Sequence, residues 1–185
     1  MNIFFLSLNP QKAAQAHCDK HVVKMILEST QLLWTAHWVT GTPPPPDAPI
    51  AQTTGQPGYR PVSRNHPCAI WTRETIGNYR WLIALSQHLI AEYHLRWPTQ
   101  RNAHACEIHI KWLSEHEPTN IPNLPMTMPA QAMPVQFKRQ SPTAAYKAYY
   151  LGAKSHFARW TNRTPPVWWS EALRTPAVAA VAAVS

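Results

Sequence analysis

The sequence has few glycines. Five are present among 185 residues, and none lies in a Gly-x-Gly-x-x-Gly or Gly-x-x-x-x-Gly-Lys pattern. Those patterns form the loops that hold the phosphates of dinucleotides and nucleoside triphosphates. The sequence therefore excludes both of these common phosphate-binding loops.

Cysteine is also scarce. Cys18, Cys68 and Cys106 are an odd number, and no two of them form a Cys-x-x-Cys pair. This count argues against a disulfide framework and predicts a reducing location, the cytoplasm of the cell or of an infected host. Their spacing builds no cysteine-based zinc site, and the sequence predicts no metal and no other cofactor.

Long hydrophobic runs are missing. No stretch approaches the roughly 18 apolar residues of a membrane span, so no membrane partner is predicted. The first ten residues, MNIFFLSLNP, are apolar but lack the basic start and the length of a secretory signal. Residues 176–185 form a short Ala/Val tail that is expected to fray.

Positive charge is abundant. The chain carries 17 Lys and Arg against 9 Asp and Glu, a formal net charge of +8 before any of its 10 histidines is protonated. This balance favours a polyanionic partner, DNA first or else a nucleotide. A basic surface that serves only solubility is the alternative.

The hydrophobic pattern predicts an all-α fold. Hydrophobic residues make up 45% of the chain, enough for one compact domain over residues 1–185. Four to five helices are expected, and the predicted spans are residues 10–39, 68–97, 99–116 and 142–160. The first helix is the longest and is expected to be central.

Proline-rich segments separate these helices. Residues 41–65 are expected to form a functional lid or a mobile excursion, and residues 117–140 a surface connector. Residues 3–8 predict a buried strand or a short extended lead-in to the first helix. The stretch TNRTPPVWW, residues 161–169, is expected to be an extended aromatic strap.

The predicted first helix carries a polar stripe. At 100° per residue, six polar side chains fall within a sector of about 80°: His17, His21, Lys24, Glu28, Gln31 and Thr35. Because the rest of this helix is apolar, we expect it to be buried and the stripe to line a binding or catalytic cleft, with Lys20 at its edge. A solvated edge with ordinary i,i+4 pairs is the alternative.

Two further readings of this helix stay open. Histidines four residues apart suit zinc, although Cys18 stands where the metalloprotease motif has glutamate and no further ligands are evident. Cys18, beside His17, is either a nucleophile or a small buried side chain.

Two other segments carry candidate binding residues. Arg64, Asn65 and His66 precede a predicted helix start and Arg73 follows, which together suit an anion site, although helix capping explains the same pattern. Tyr146, Tyr150 and Lys154 share one face of the last predicted helix and suit stacking on bases near phosphates, although aromatic residues at helical spacing also build cores.

Three stretches carry a family resemblance: HCDKHVVKMILE, NHPCAIWTRE and YKAYYLGAKSHFARW. Together they resemble a family of small proteins from phages and large DNA viruses, and the resemblance covers most of the chain. A looser resemblance, through the lead-in, a carboxylate on the first helix, NHP and YKAYYLGAK, is to the pyrimidine-dimer DNA glycosylases.

The glycosylase resemblance implies a mechanism. In that family the N-terminal α-amine attacks the sugar C1′ and a carboxylate stabilises the resulting cation or Schiff base. By this resemblance Glu28 is the carboxylate and the α-amine of Met1 the nucleophile, with Lys24 or Lys20 in its stead. The family removes its methionine to expose a small residue, whereas the bulky Asn2 is expected to retain Met1.

These observations predict a viral DNA-acting enzyme, a DNA glycosylase with or without lyase activity, that acts on a damaged or modified base. The base would be flipped into the cleft, with Trp71, Tyr146 or Tyr150 beside it. One alternative is a viral transferase that modifies DNA bases or nucleotides, with His17 or His21 as general base. Another is a non-catalytic binder that sequesters a nucleotide or a host protein.

Overall fold

The computed structural model describes residues 1–99 and 103–174, and it is mostly helical. A two-stranded antiparallel hairpin pairs β1 (Ile50–Ala51) with β2 (Gln56–Pro57). The described residues hold seven α-helices: α1 (Pro10–Ala16), α2 (Asp19–Val39), α3 (Pro67–Thr72), α4 (Ile76–Arg96), α5 (Glu107–Glu115), α6 (Pro142–Ala153) and α7 (Val167–Arg174). Single 3₁₀ turns lie at Val135–Phe137 and Ser155–Phe157.

The predicted first helix is two helices. Asn9 caps α1 as expected, with its side chain accepting the Lys12 N–H at 2.9 Å. His17 and Cys18 then adopt extended backbone angles, and α2 starts at Asp19. No proline or glycine marks this break; tertiary contacts stabilise it, among them a hydrogen bond from the Asp19 N–H to the Arg159 carbonyl at 2.8 Å.

The predicted second helix is also two helices. α3 ends at Thr72, and Thr75 has extended backbone angles before α4 begins. The Thr75 hydroxyl accepts the Asn78 N–H at 3.1 Å, which caps α4. Thr75 is an N-cap residue that follows the polar residues Thr72, Arg73 and Glu74, and its cap divides a helix that periodicity alone joins.

Other boundaries moved less. α5 begins at Glu107, later than predicted, and residues 100–102 lie outside the described part. α6 ends at Ala153, and the expected extended strap becomes helical from Val167 onward. The connector 117–140 contains no α-helix, as its prolines require, and the predicted tail at 176–185 lies outside the described residues.

The N-terminal lead-in is the centre of the hydrophobic core. Ile3, Phe4, Phe5 and Leu6 are each at most 4% exposed, although they pair with no strand. Phe5 contacts the rings of Trp71 and Trp81 with centroids 4.9 and 4.7 Å away. Each fully buried side chain of this kind stabilises the fold by about 1.5–3 kcal/mol relative to its exposed state.

The core also contains buried charge. The Arg96 side chain is fully buried, and its guanidinium pairs with Asp19 at 3.0 Å and Glu92 at 3.0 Å. Arg163 contacts the same Glu92 carboxylate. This network ties the start of α2, the end of α4 and the segment after α6 together, because its buried charges are stabilised by pairing with one another.

The connector packs tightly on α4. The N–H groups of Ile76 and Gly77 donate to the carbonyls of Pro122 and Leu124 at 2.8 and 3.1 Å. A Cβ at Gly77 would lie 2.4 Å from the Met126 nitrogen, so glycine permits this approach. Among the described residues, no helix combines the length and hydropathy needed to cross a membrane.

We predict that acid destabilises the fold through three buried histidines. Burial lowers the pKa of His17 and His37 to about 4 and that of His21 to about 3. In the unfolded chain these groups titrate near 6.5, so between pH 6.5 and about 4 the unfolded state binds more protons than the native state. As the pH drops below 6.5, the free energy of unfolding should therefore decrease by up to about 1.4 kcal/mol per pH unit for each histidine.

Urea denaturation at pH 7.5, 6.0, 5.0 and 4.5 measures this dependence. Replacing His21 with Gln should make the slope shallower, because it removes one histidine whose pKa burial lowers. A stability that stays constant from pH 7.5 to 4.5 would contradict the prediction.

Candidate active site

Asn2 fixes the start of the chain. Its side-chain amide donates to the Ala132 carbonyl at 2.8 Å, and its Oδ1 accepts the Ile3 N–H at 2.8 Å. The Tyr146 hydroxyl and the Cys68 thiol lie 3.0 and 3.5 Å from the same oxygen. Both polar atoms of the side chain are bonded, so the first residues are held against the helices.

Tyr146 supports this arrangement from α6. Its ring is fully buried, and its hydroxyl lies 3.0 Å from Asn2 Oδ1 and 2.8 Å from the Ala130 carbonyl, which share its one proton. The same hydroxyl accepts the Ala132 N–H at 3.2 Å. The predicted stacking role is therefore wrong for Tyr146, because no ring face is open to a base.

Glu28 meets the chain start from α2. Its Oε2 accepts the main-chain N–H of Asn2 at 2.7 Å, and its Oε1 lies 3.3 Å from the Lys24 ammonium. The residue is 8% exposed, whereas the Lys24 side chain is 65% exposed. The α-amine of Met1 is one residue further along the backbone, at most about 3.6 Å from the Asn2 nitrogen.

His66 lies near Glu28 and the start of the chain, and these residues form the candidate site. Its Nδ1 accepts the Cys68 N–H at 3.2 Å and so caps α3. Burial lowers the His66 pKa, the positive α-amine of Met1 lowers it further, and Glu28 opposes both. The charges of the Met1 α-amine and the Glu28 carboxylate therefore both act on the His66 imidazole.

Cys68 lies against the same group but stays protonated. Burial raises the pKa of its thiol to about 11, with smaller effects from the Met1 amine and Glu28. A thiol with this pKa is a poor nucleophile at neutral pH. Its place beside Asn2 is structural.

The predicted polar stripe divides into separate environments. The exposed side of α2 carries Lys20, Val23, Lys24 and Leu27, with Glu28 at its edge and Gln31 half-buried. Val23 and Leu27 were expected in the core but are 41% and 37% exposed. The expectation of one cleft lined by the whole stripe is wrong, because His17 precedes α2 and His21 points into the core.

His17 and His21 belong to a buried cluster with Cys18 and Tyr150. The Tyr150 hydroxyl bonds with His21 Nδ1 and lies 3.8 Å from Cys18 Sγ, while His17 Nδ1 bonds with the Ala13 carbonyl at 2.7 Å. Burial keeps both histidines neutral and raises the pKa of the Cys18 thiol. This disfavours the general-base role for the histidines and the nucleophile role for Cys18.

The remaining predicted binding residues are spread over the surface and the core. Arg64 and Asn65 are exposed, and the Arg73 guanidinium donates to the Arg64 carbonyl at 2.8 Å. Lys20 and Lys154 lie over the rings of Phe157 and Tyr149, at 5.1 and 4.8 Å. Tyr150 and Trp71 are buried, so neither presents a ring face to a base.

The described residues contain no group of three or more His, Cys, Asp or Glu that could hold a metal ion. Sequence reasoning also missed the structural role of Asn2, which it treated only as a barrier to methionine removal. A polar residue between Met1 and the apolar run of residues 3–6 was the available signal, because such a residue must be bonded if the run is buried.

Comparison of the chain with protein-family models, with curated proteins and with solved structures finds no match. The two resemblances described for the sequence therefore stay predictions. Any function must be argued from the geometry around Met1, Glu28 and His66.

We predict that Tyr146→Phe loosens the chain start without opening the core. The substitution keeps the buried ring but removes the hydroxyl that bonds with Asn2. The free energy of unfolding should fall by about 1–3 kcal/mol, and the backbone amides of residues 2–6 should exchange faster with deuterated water. Tyr149→Phe, a half-buried tyrosine on the same helix, is the control and should leave that exchange unchanged.

Proposed function

We propose that the protein is a DNA glycosylase of the amine-nucleophile type, acting on a damaged or modified base. The observation that carries this proposal is the hydrogen bond from the Asn2 N–H to a shielded carboxylate oxygen, Glu28 Oε2. The α-amine of Met1 lies at most about 3.6 Å from that Asn2 nitrogen. An amine to attack C1′ and a carboxylate to stabilise the positive charge that develops there are the two groups this chemistry needs.

The α-amine is the preferred nucleophile over the Lys24 amine. Only a neutral amine carries the lone pair for attack, and an α-amine ordinarily loses its proton at a much lower pH than a lysine side chain. Lys24 is also engaged in an ion pair with Glu28 at 3.3 Å. Its role in the proposal is to attract the DNA backbone.

The reaction balances without a cofactor. The amine nitrogen forms a bond to C1′, the bond from C1′ to the base breaks, and the base leaves with the electron pair and takes up a proton. Opening of the sugar ring then gives a protonated Schiff base between the amine and C1′, whose charge faces Glu28. Addition of water to C1′ then breaks the Schiff base and frees the amine. If the 3′ phosphate is eliminated first, the strand is cut, and the same hydrolysis still releases the enzyme.

His66 can supply a hydrogen bond to the substrate. Because Nδ1 accepts the Cys68 N–H, the neutral ring carries its proton on Nε2 and can donate it to the leaving base. Burial and the nearby amine both lower the pKa of this ring. The neutral, donor form of His66 is therefore favoured at neutral pH.

The surroundings favour DNA as the substrate. Lys20 and Lys24 are exposed on α2, Arg64 is exposed two residues before His66, and the chain carries a net charge of +8. Clustered cations neutralise phosphates and release counterions, which drives binding to duplex DNA. The exposure of Lys24 leaves this edge of α2 open to a large substrate.

The transferase alternative is disfavoured because His17 and His21 are buried away from a substrate and burial lowers the pKa of both, which makes them weaker bases. The sequestering binder remains a distinct outcome: it needs the same surface but no turnover. It would retain ligand affinity when Glu28 becomes Gln and would form no covalent adduct.

We predict that the protein forms a covalent adduct with damaged or abasic duplex DNA in the presence of borohydride, which reduces the Schiff base to a stable amine. Glu28→Gln should lower the adduct yield at least about 100-fold, because it removes the charge that stabilises the cation. Gel shift of a labelled duplex measures the yield, and peptide mass spectrometry locates the modified amine, either at Met1 or at Lys24.

Two controls make this test specific. Glu115→Gln changes an exposed glutamate on α5 and should leave the yield unchanged. His66→Asn preserves a capping side chain while it removes the imidazole, and it should lower the rate without unfolding α3. If no adduct forms with ultraviolet-irradiated, base-modified or abasic duplexes, the proposal is wrong.

A further inference from the structure

A groove lies between the end of α2 and the proline-rich loop 41–65. Its volume is about 510 Å³, and Trp38, four proline rings, Arg60 and Arg64 line most of it. Trp38 is 38% exposed, although large aromatic side chains of this protein are mostly buried. The groove is not part of the group formed by Met1, Glu28 and His66.

The groove is preformed. The indole N–H of Trp38 donates to the Tyr59 carbonyl at 3.0 Å, which fixes the ring. The Val62 N–H donates to the Thr35 hydroxyl at 3.0 Å, which fixes the loop on α2. The loop expected to be a lid or a mobile excursion is therefore held to the helix at two points, and a ligand would not have to order it.

Gly58 shapes the floor of the groove. Its φ of +64° lies in the left-handed region, and a Cβ there would approach Pro44 to 2.9 Å. Glycine thus lets the loop fold back against Pro44 and lets both residues line one cavity. The close packing of the Gly58 backbone against the Pro44 ring makes this surface concave.

The lining suits one kind of ligand. An indole ring and proline rings provide flat apolar surfaces that pack against a planar base, and two exposed arginines provide donors for phosphate oxygens. No carboxylate is among the residues that line the groove. This charge favours a nucleotide over a neutral or basic peptide.

The groove lies near the candidate active site. Trp38 lies ten residues after Glu28 on α2, about 15 Å along the helix axis. Arg64 precedes His66 by two residues, so their Cα atoms are at most about 7 Å apart. A distance of 15 Å corresponds to about four phosphate steps along one strand of a duplex.

We infer that the Trp38 groove binds a second nucleotide of the same DNA, about four positions from the nucleotide that reacts at Glu28. The base stacks on Trp38, and Arg60 and Arg64 contact its phosphates. This inference rests on the proposed function, because it takes DNA as the substrate. It predicts that the protein binds DNA more strongly when the base at that second position is unstacked or easily unstacked.

Fluorescence anisotropy with labelled abasic-site duplexes tests the inference. Trp38→Ala should weaken binding about 5- to 150-fold, the range expected from the loss of one stacked base, whereas Trp38→Phe should retain most of the affinity. Arg60→Ala with Arg64→Ala should reduce the slope of log affinity against log salt by about 1.8, which is two phosphate contacts. Arg159→Ala, at the opposite end of α2, is the charge control and should change the affinity least.

A base-removal scan locates the contact. Duplexes that lack one base at each position from two to six nucleotides on either side of the reacting site are bound to the native protein and to Trp38→Ala. At one position the loss of the base should weaken native binding as much as Trp38→Ala does, and the two losses should not add. Both arginines are exposed, so their variants test the groove even if a Trp38 variant fails to fold.

The outcomes separate this inference from the proposed function. If adducts form but neither the Trp38 nor the arginine variants weaken DNA binding, the groove inference is wrong and the function stands. If no adduct forms but the variants weaken binding at one position, the groove binds DNA and the glycosylase proposal is wrong. Full affinity of every variant for every duplex overturns the groove inference outright.

Discussion

The structure depends on the burial of an unpaired N-terminal segment. Residues 3–6 enter the core without a strand beside them, so their polar neighbours must find partners elsewhere. Asn2 provides this at the chain start, through Ala132 and Tyr146. Because an unpaired buried polar group costs free energy, this clamp and the burial of the four apolar residues support each other.

That constraint determines which groups meet at the start of the chain. The segment carries the main chain to Glu28, whose carboxylate accepts the Asn2 N–H. A carboxylate on a helix is ordinary, and so is a chain start near a protein surface. Here the two meet, near the His66 cap of α3, although these groups are far apart in sequence.

The interior holds polar groups in two different ways. Around Tyr150 the groups are neutral: burial holds His17 and His21 uncharged and Cys18 protonated. Around Arg96 the groups are charged and paired, with Asp19 and Glu92. Burying the neutral groups costs little free energy as long as they stay neutral. Burying the charged groups is compensated by the ion pairs among them.

The sequence by itself determined the helical class, the cap at Asn9, the proline-rich connector and the place of Glu28 at the polar edge of an apolar helix. Each follows from local chemistry: hydrophobic period, N-cap preference, the missing proline N–H, and a charge among apolar residues. Tertiary structure alone decided the break at His17 and Cys18, the burial of Tyr146 and Tyr150, and the hydrogen bond between Asn2 and Glu28. Contacts between residues 26 to 144 positions apart stabilise these features, and no local pattern records which distant partner a side chain will find.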